Sequence, residues 1–181
     1  MSYYDIDAIL TDTQKLPCTF QLDVPGLGYL DGNAGGTVKA GTIIELPMWL
    51  GVMLAVSTGN TPGASQLVTL NFPMPLQQRV INALKADPKT VDLRAQAPHF
   101  YALGARIMEL FDDQAVLDTL LDTFKARASE IADQAHNPRG ALGDGAEFLR
   151  GLDEIERQLF KAAHEGPKAV NAWMQDQKKN S

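Results

Sequence analysis

Apolar and polar positions follow two different rhythms along this chain. From Met1 to Pro47 the pattern is short and alternating. Ile6, Ile9 and Leu10 predict one short helical turn. The run Thr19, Phe20, Gln21, Leu22, Asp23, Val24 alternates polar with apolar, the period-two signature of a half-buried strand. Pro25-Gly26 predicts a turn and Gly28-Tyr29-Leu30 a brief strand. Asp31-Gly32-Asn33 is a hairpin-type signal, Gly35-Gly36 prolongs that loop, and residues 42–46 read as a last strand.

From Met48 onward the rhythm is helical. Pro47 opens a helix that is apolar nearly all round (Met48, Trp49, Leu50, Val52, Met53, Leu54, Val56), and such a helix is expected to be buried on every side. Residues 58–65 read as a loop by composition. A helix is predicted over 76–86, with Val80, Ile81 and Leu84 on one side. Another starts at Pro98 with the stripe Leu103, Ile107, Leu110, Phe111. Asp112-Asp113 offers the N-cap of a long helix to about Gln134, with the stripe Leu117, Leu120, Leu121, Phe124, Ile131. Asn137-Pro138-Arg139-Gly140 breaks the chain. A helix over about 144–163 carries Leu149, Leu152, Ile155, Leu159 and Phe160, and Gly166-Pro167 restarts a final short one with Val170, Trp173 and Met174. The pattern therefore predicts a mainly α protein, with a small β-rich domain over 1–47 ahead of a helical domain over 48–181.

Bulk properties narrow the class. At 181 residues, 45% hydrophobic and 21% charged, the chain has the composition of one or two globular domains. No apolar run nears the roughly 20 residues of a membrane helix, and the start M-S-Y-Y-D-I-D shows no secretory signal. A single cysteine, Cys18, excludes an internal disulfide. The net charge is −6, and the first 47 residues hold six acids against Lys15 and Lys39. This is no basic footprint for nucleic acid, so direct sequence-specific DNA binding is not expected. Lys178-Lys179 reads as a solvated tail.

Catalytic and cofactor motifs are missing. His99, His136 and His164 lack the spacing of metal ligands, and His99 reads as a packed or capping residue. No serine lies in G-x-S-x-G. The glycines from Gly26 fail the dinucleotide pattern at Asp31, and no G-x-x-x-x-G-K-[ST] occurs. Asp153, Glu154 and Glu156 share a helix with Arg150, Arg157 and Lys161; the pairs Asp153–Arg157 and Arg150–Glu154, four apart, read as a solvated charged face. No cofactor, metal or enzymatic activity is predicted.

The most distinctive stretch is A-D-P-K-T-V-D-L-R-A-Q-A-P-H-F-Y at 86–101. Asp87-Pro88 stops one helix, Val91 and Leu93 flank Asp92, and Pro98 precedes His99, Phe100 and Tyr101 at the next helix start. It reads as a corner that fixes two helices against each other. With D-I-D-A-I-L…K-L-P-C at 5–18, E-L-P-M-W-L at 45–50 and L-D-E-I-E-R-Q-L-F at 152–160, it resembles the GINS family of eukaryotic replication proteins, in its Psf-three type. The four pieces occur in the family's order over nearly the whole chain.

The resemblance implies a helical-bundle (A-type) domain preceded by a small β-rich (B-type) domain. It implies a non-catalytic subunit of a nuclear heterotetramer with three other GINS subunits, docked to the MCM helicase ring and the RecJ-like helicase cofactor in initiation and elongation of replication. Leu46, Trp49, Leu50, Val91, Leu93, Phe100, Tyr101, Leu152, Leu159, Phe160 and Trp173 are the candidate structural or interface anchors. Trp173 so close to the carboxyl end reads as part of a buried, docked end. The competing readings are a stand-alone helical adaptor and a small enzyme whose site forms only on folding.

Overall fold

A computed structural model describes residues 4–57, 66–136 and 145–179. The loop expected at 58–65 and the break expected at 137–140 lie outside these residues. The chain forms two compact units, Met1–Gln77 and Gln78–Ser181.

The first unit opens with α1 (Ile6–Asp12), capped by the Asp5 carboxylate, which accepts from the Asp7 and Ala8 amides. Then come β1 (Lys15–Phe20), β2 (Val24–Pro25), β3 (Thr37–Val38), β4 (Ile43–Pro47), α2 (Met48–Val56) and β5 (Val68–Leu70). β1 is the centre of an antiparallel sheet in the order β4-β1-β5, with Leu16 opposite Leu46, Cys18 opposite Ile44 and Phe20 opposite Val68. Those six side chains are buried, as period-two alternation requires when one face is covered. β2 and β3 form a separate two-stranded ribbon.

α2 provides the cover. A Cβ at Gly51 would stand 2.9 Å from Cys18 Sγ and 3.3 Å from Leu70 Cδ2, so any larger residue would have to push Cys18 or the helix aside, and glycine lets the helix sit this close to the sheet. The sequence pattern draws a domain boundary at Pro47/Met48, whereas the compact units divide at Gln77/Gln78. The reason is that α2 and β5 both pack on β1.

Three further differences have simple causes. Residues Gly28–Asp31 form a 3-10 turn rather than a strand. The strand β5 is too short for alternation to reveal. α2 is not buried on every side: Trp49, Met53 and Val56 face solvent in the single chain, because one helix on one sheet has only one covered face.

The second unit is helical: α3 (Gln78–Ala86), α4 (Leu93–Gln96), α5 (Phe100–Phe111), α6 (Gln114–His136), α7 (Gly145–Arg150) and α8 (Glu154–Lys179). α6 packs against α3, α5 and α8. On α5 the buried residues Phe100, Leu103, Gly104 and Ile107 recur at helical spacing. Asp113, as expected, caps α6, its carboxylate accepting from the Ala115 and Val116 amides.

The buried line of α6 departs from the expected stripe. It runs Val116, Thr119, Leu120, Thr123, Arg127, Ile131, Ala135, leaving Leu121 exposed and Leu117 and Phe124 half-buried. Two threonines and an arginine stand where apolar residues were sought. α8 also departs: it starts at Glu154, after a break from α7 at 151–153, and runs through Pro167 to Lys179 without restarting. A proline inside a helix costs the hydrogen bond to the carbonyl four residues back, yet here the helix continues.

The buried Cys18 yields a first expected result. Burial pushes its thiol from 9.0 up to about 11. At pH 8 a disulfide reagent should therefore titrate no thiol in the folded chain and one after unfolding. The unfolded chain ionises first, so this group's contribution to stability is complete below pH 9 and is lost as pH rises towards 11. Rapid labelling of the native chain would contradict this placement.

Candidate functional site: a buried arginine lock and the helix faces it positions

The corner at 86–101 is held by hydrogen bonds that the sequence reading did not include. α3 ends where the Asp87 amide donates to Ala83 O. The Asp87 carboxylate accepts from the Lys89 amide and its carbonyl accepts from the Thr90 hydroxyl, closing a tight turn. Asp92 caps α4, its Oδ1 accepting from the Ala95 amide at 2.8 Å. The Leu93 and Arg94 amides both donate to Gly151 O, at 3.1 and 3.2 Å. The start of α4 is thereby tied to the break between α7 and α8. The approach is close: a Cβ at Gly151 would lie 3.2 Å from Asp92 Cα.

Arg127 of α6 fills the centre of this junction and is fully buried. Nε donates to Glu156 Oε1 at 2.6 Å and Nη2 to Glu156 Oε2 at 2.9 Å, a bidentate pair. Nη1 donates to Pro88 O and Val91 O, and Nη2 also to Gly151 O. A guanidinium has five N–H groups, and these bonds use all of them. The Phe148 ring centroid lies 4.9 Å from Cζ, adding a cation–π contact.

Glu156 is equally buried and fully engaged. Its Oε1 also accepts from the Tyr101 hydroxyl at 3.0 Å. Its Oε2 accepts from the Asp153 amide while Asp153 Oδ1 accepts from the Glu156 amide. That reciprocal pair is a capping box at the start of α8. Asp153 Oδ2 accepts from the Tyr101 amide, tying α8 to the first turn of α5, and the Glu154 amide donates to Pro98 O. Burial holds the Asp153 carboxyl above its usual range against the lowering effect of these amides. Burial, then the neighbouring Glu156 carboxylate, raises the Tyr101 phenol well above its ordinary value. The Tyr101 ring meets Phe100 and Phe124 edge-on, at 5.6 and 5.1 Å.

This network joins α5, α6 and α8 with the turn between α3 and α4 through one cation and two carboxylates. It has no open coordination position and no free nucleophile, so its chemistry is to fix geometry. The expectation of a solvated face is overturned for Asp153 and Glu156, both 0% exposed. Only Glu154 keeps a surface role, 3.7 Å from Arg94. The D-x-x-E spacing at 153–156 was the available signal. Arg127 had one too, standing four residues from both Thr123 and Ile131 on a single helix face.

The candidate anchors separate into three groups. Leu46, Leu93, Phe100 and Leu152 are core residues. Leu50, Val91, Tyr101, Leu159 and Phe160 are half-buried. Trp49 and Trp173 are 50% and 62% exposed. The expectation of a buried Trp173 is thus corrected for the single chain, because among the described residues no element covers that end of α8. Val91, Leu93, Phe100, Tyr101 and Leu152 gather around the Arg127–Glu156 lock; Leu46, Leu50 and Trp49 belong to the other unit. His99 is packed and makes no side-chain cap to α5. Among the described residues no cluster of His, Cys, Asp and Glu is arranged for a metal. No described helix is long and apolar enough to cross a membrane.

A small sheet unit followed by a helical bundle with a sealed corner defines a scaffold, and the comparisons give its lineage. Residues 4–56 match the PSF3 N-terminal domain, and residues 75–175 match the GINS complex protein helical bundle domain. The chain is 65% identical over 178 residues to the DNA replication complex GINS protein PSF3 of Phaeosphaeria nodorum, covering 98% of each chain. It is 62% identical over 179 residues to that of Aspergillus fumigatus, covering 99% of each. To that of Schizosaccharomyces pombe it is 36% identical over 173 residues, covering 96% of this chain and 97% of the relative. The chain belongs to the PSF3 family of GINS proteins. The expected architecture, mainly α with a small β-rich region first, is the one found.

Proposed function

We propose that this chain is a non-catalytic subunit of a nuclear GINS heterotetramer, with three other GINS subunits as direct partners. In this reading the assembly holds the MCM ring and the RecJ-like cofactor together during initiation and elongation of replication. The relatives carry the name of a DNA replication complex protein. The observation that carries the reading is apolar surface that this chain leaves uncovered. On α8, Val170, Trp173 and Met174 are all more than half exposed. On α2, Trp49, Met53 and Val56 are exposed as well. Aromatics and methionine grouped on a helix face favour the centre of a protein interface. The work such a subunit does is association free energy: covering these faces favours one arrangement of the assembly.

Co-expression with the three sister subunits, followed by light scattering, tests this. The expected mass is that of one copy of each chain. A monodisperse monomer that ignores the other three would instead favour a stand-alone adaptor. Trp173→Ala gives a sharper result. Its indole is exposed in the single chain, so the melting temperature should hold and stability should change by no more than about 0.5 kcal/mol. Assembly should weaken by about tenfold or more, as expected for a tryptophan at an interface centre. Unchanged affinity for the sister subunits would remove Trp173 from the interface.

A further inference from the structure

An open groove of about 840 Å³ runs beside the α7–α8 break, within the helical unit. Its charge is opposite to that of the chain. Arg94, Arg150, Arg157 and Lys161 line it, against Glu154 and Glu165. Arg94 is partly neutralised by Glu154 at 3.7 Å. Arg150, Arg157 and Lys161 are exposed and form no ion pair among the described residues. Three free cations thus border one concavity on a protein of net charge −6.

The groove also has an apolar wall. Leu149 and Phe160 are half-buried along it. The Phe160 ring stacks on His164 at 5.9 Å with planes 5° apart. The His164 ring is fixed at both nitrogens: Nδ1 lies 3.0 Å from Ala135 O and Nε2 lies 2.8 Å from Lys168 Nζ. Donation from Nδ1–H and acceptance at Nε2 fit both bonds, so the ring is a positioned flat surface. At one edge Leu152 is buried, next to Asp153, whose capping box with Glu156 fixes the start of α8.

We infer that this groove is a docking site for a short acidic segment of a partner protein carrying an apolar or aromatic side chain. The segment's carboxylates meet Arg150, Arg157 and Lys161, and its apolar residue lies against Leu149 and Phe160. Arginine pairs with carboxylates through its two-pronged geometry. Nucleic acid fits less well. Glu154 and Glu165 interrupt the line of cations, and the acidic chain repels a polyphosphate. The site is separate from the exposed end of α8 at Trp173, and it does not depend on which proteins cover that end.

The test uses the full chain, alone and co-purified with its sister subunits. An array of short peptides alternating Asp or Glu with Leu or Phe is screened, and the best binder is labelled for anisotropy. The expected result is saturable binding that weakens with salt and falls about tenfold or more in the double variant Arg150→Glu, Lys161→Glu. Both positions are exposed, so the variant should melt as the wild type does and still join its sister subunits. Absence of binding across the array, or binding unchanged by the reversal, overturns the proposal. So does tighter binding of a short mixed-sequence DNA duplex than of any peptide. Loss of assembly by the variant would place the groove inside the complex and also overturn it. Subunit assembly is read separately by mass, so failure of this site and failure of the proposed function give different results.

Discussion

Replacing Arg127 with Met should lower the stability of the helical unit by about 3–5 kcal/mol, the usual cost of removing one partner of a buried ion pair. For a unit of this size the midpoint should fall by roughly 15 °C or more. The size of the effect comes from what is left behind. Glu156 would remain a buried carboxylate without its cation, and Pro88, Val91 and Gly151 would lose donors to their carbonyls. Each buried acceptor left unsatisfied costs about 1–3 kcal/mol. Arg127→Lys should rescue little, because an ammonium has three donors in another geometry. In the double variant Arg127→Met, Glu156→Met the unpaired charge is gone but the three carbonyls are not. It should therefore recover only part of the loss. Calorimetry of the double-mutant cycle measures the coupling. Additive effects of the two single changes would show that the lock is not a unit.

Phe100→Ala should be comparably severe, at about 3–5 kcal/mol, because truncating a buried aromatic leaves a cavity. Phe100 is fully buried at the first turn of α5 and meets Tyr101 edge-on. Tyr101 in turn donates to Glu156, so the cavity opens beside the lock. Denaturant titration should show a lower midpoint, and binding to the sister subunits should weaken with it, though Phe100 presents no surface to a partner. The comparison with Trp173→Ala is informative. One change removes stability and assembly together; the other removes assembly alone. A mild Phe100→Ala would mean that the corner tolerates repacking.

How much of this was legible in the residues follows from where polar groups went. The strands around Phe20 and Ile44 were readable because apolar side chains alternate there and one face is buried. The helices over 78–86, 100–111 and 114–136 were readable from their spacing. The corner at 86–101 was recognised as a corner because proline and aspartate stop helices by local means. What held it was not legible. Arg127 and Glu156 carry full charges, and a charged residue on an amphipathic helix is ordinarily solvated. Their burial depends on carbonyls of Pro88, Val91 and Gly151, supplied by two distant parts of the chain, the turn at 88–91 and the break at 151. The inward face of α6 is hidden for the same reason: Thr119, Thr123 and Arg127 occupy core positions that an apolar stripe does not mark. Trp173 departs from its pattern in the opposite sense. A large aromatic reads as buried, but its burial depends on which surfaces lie opposite it, and the described residues of this chain supply none.

The central claim is that the lock holds α8 in place and that sister subunits cover the surfaces left bare around Trp49 and Trp173. Hydroxyl-radical footprinting reads it most directly, by following oxidation of Trp49, Met53, Trp173 and Met174 in the single chain and in the co-purified complex. The account predicts ready oxidation of all four when the chain is alone, since each is at least half exposed. It predicts marked protection once the sister subunits are bound. Equal oxidation in the two samples, with the complex intact, would contradict it.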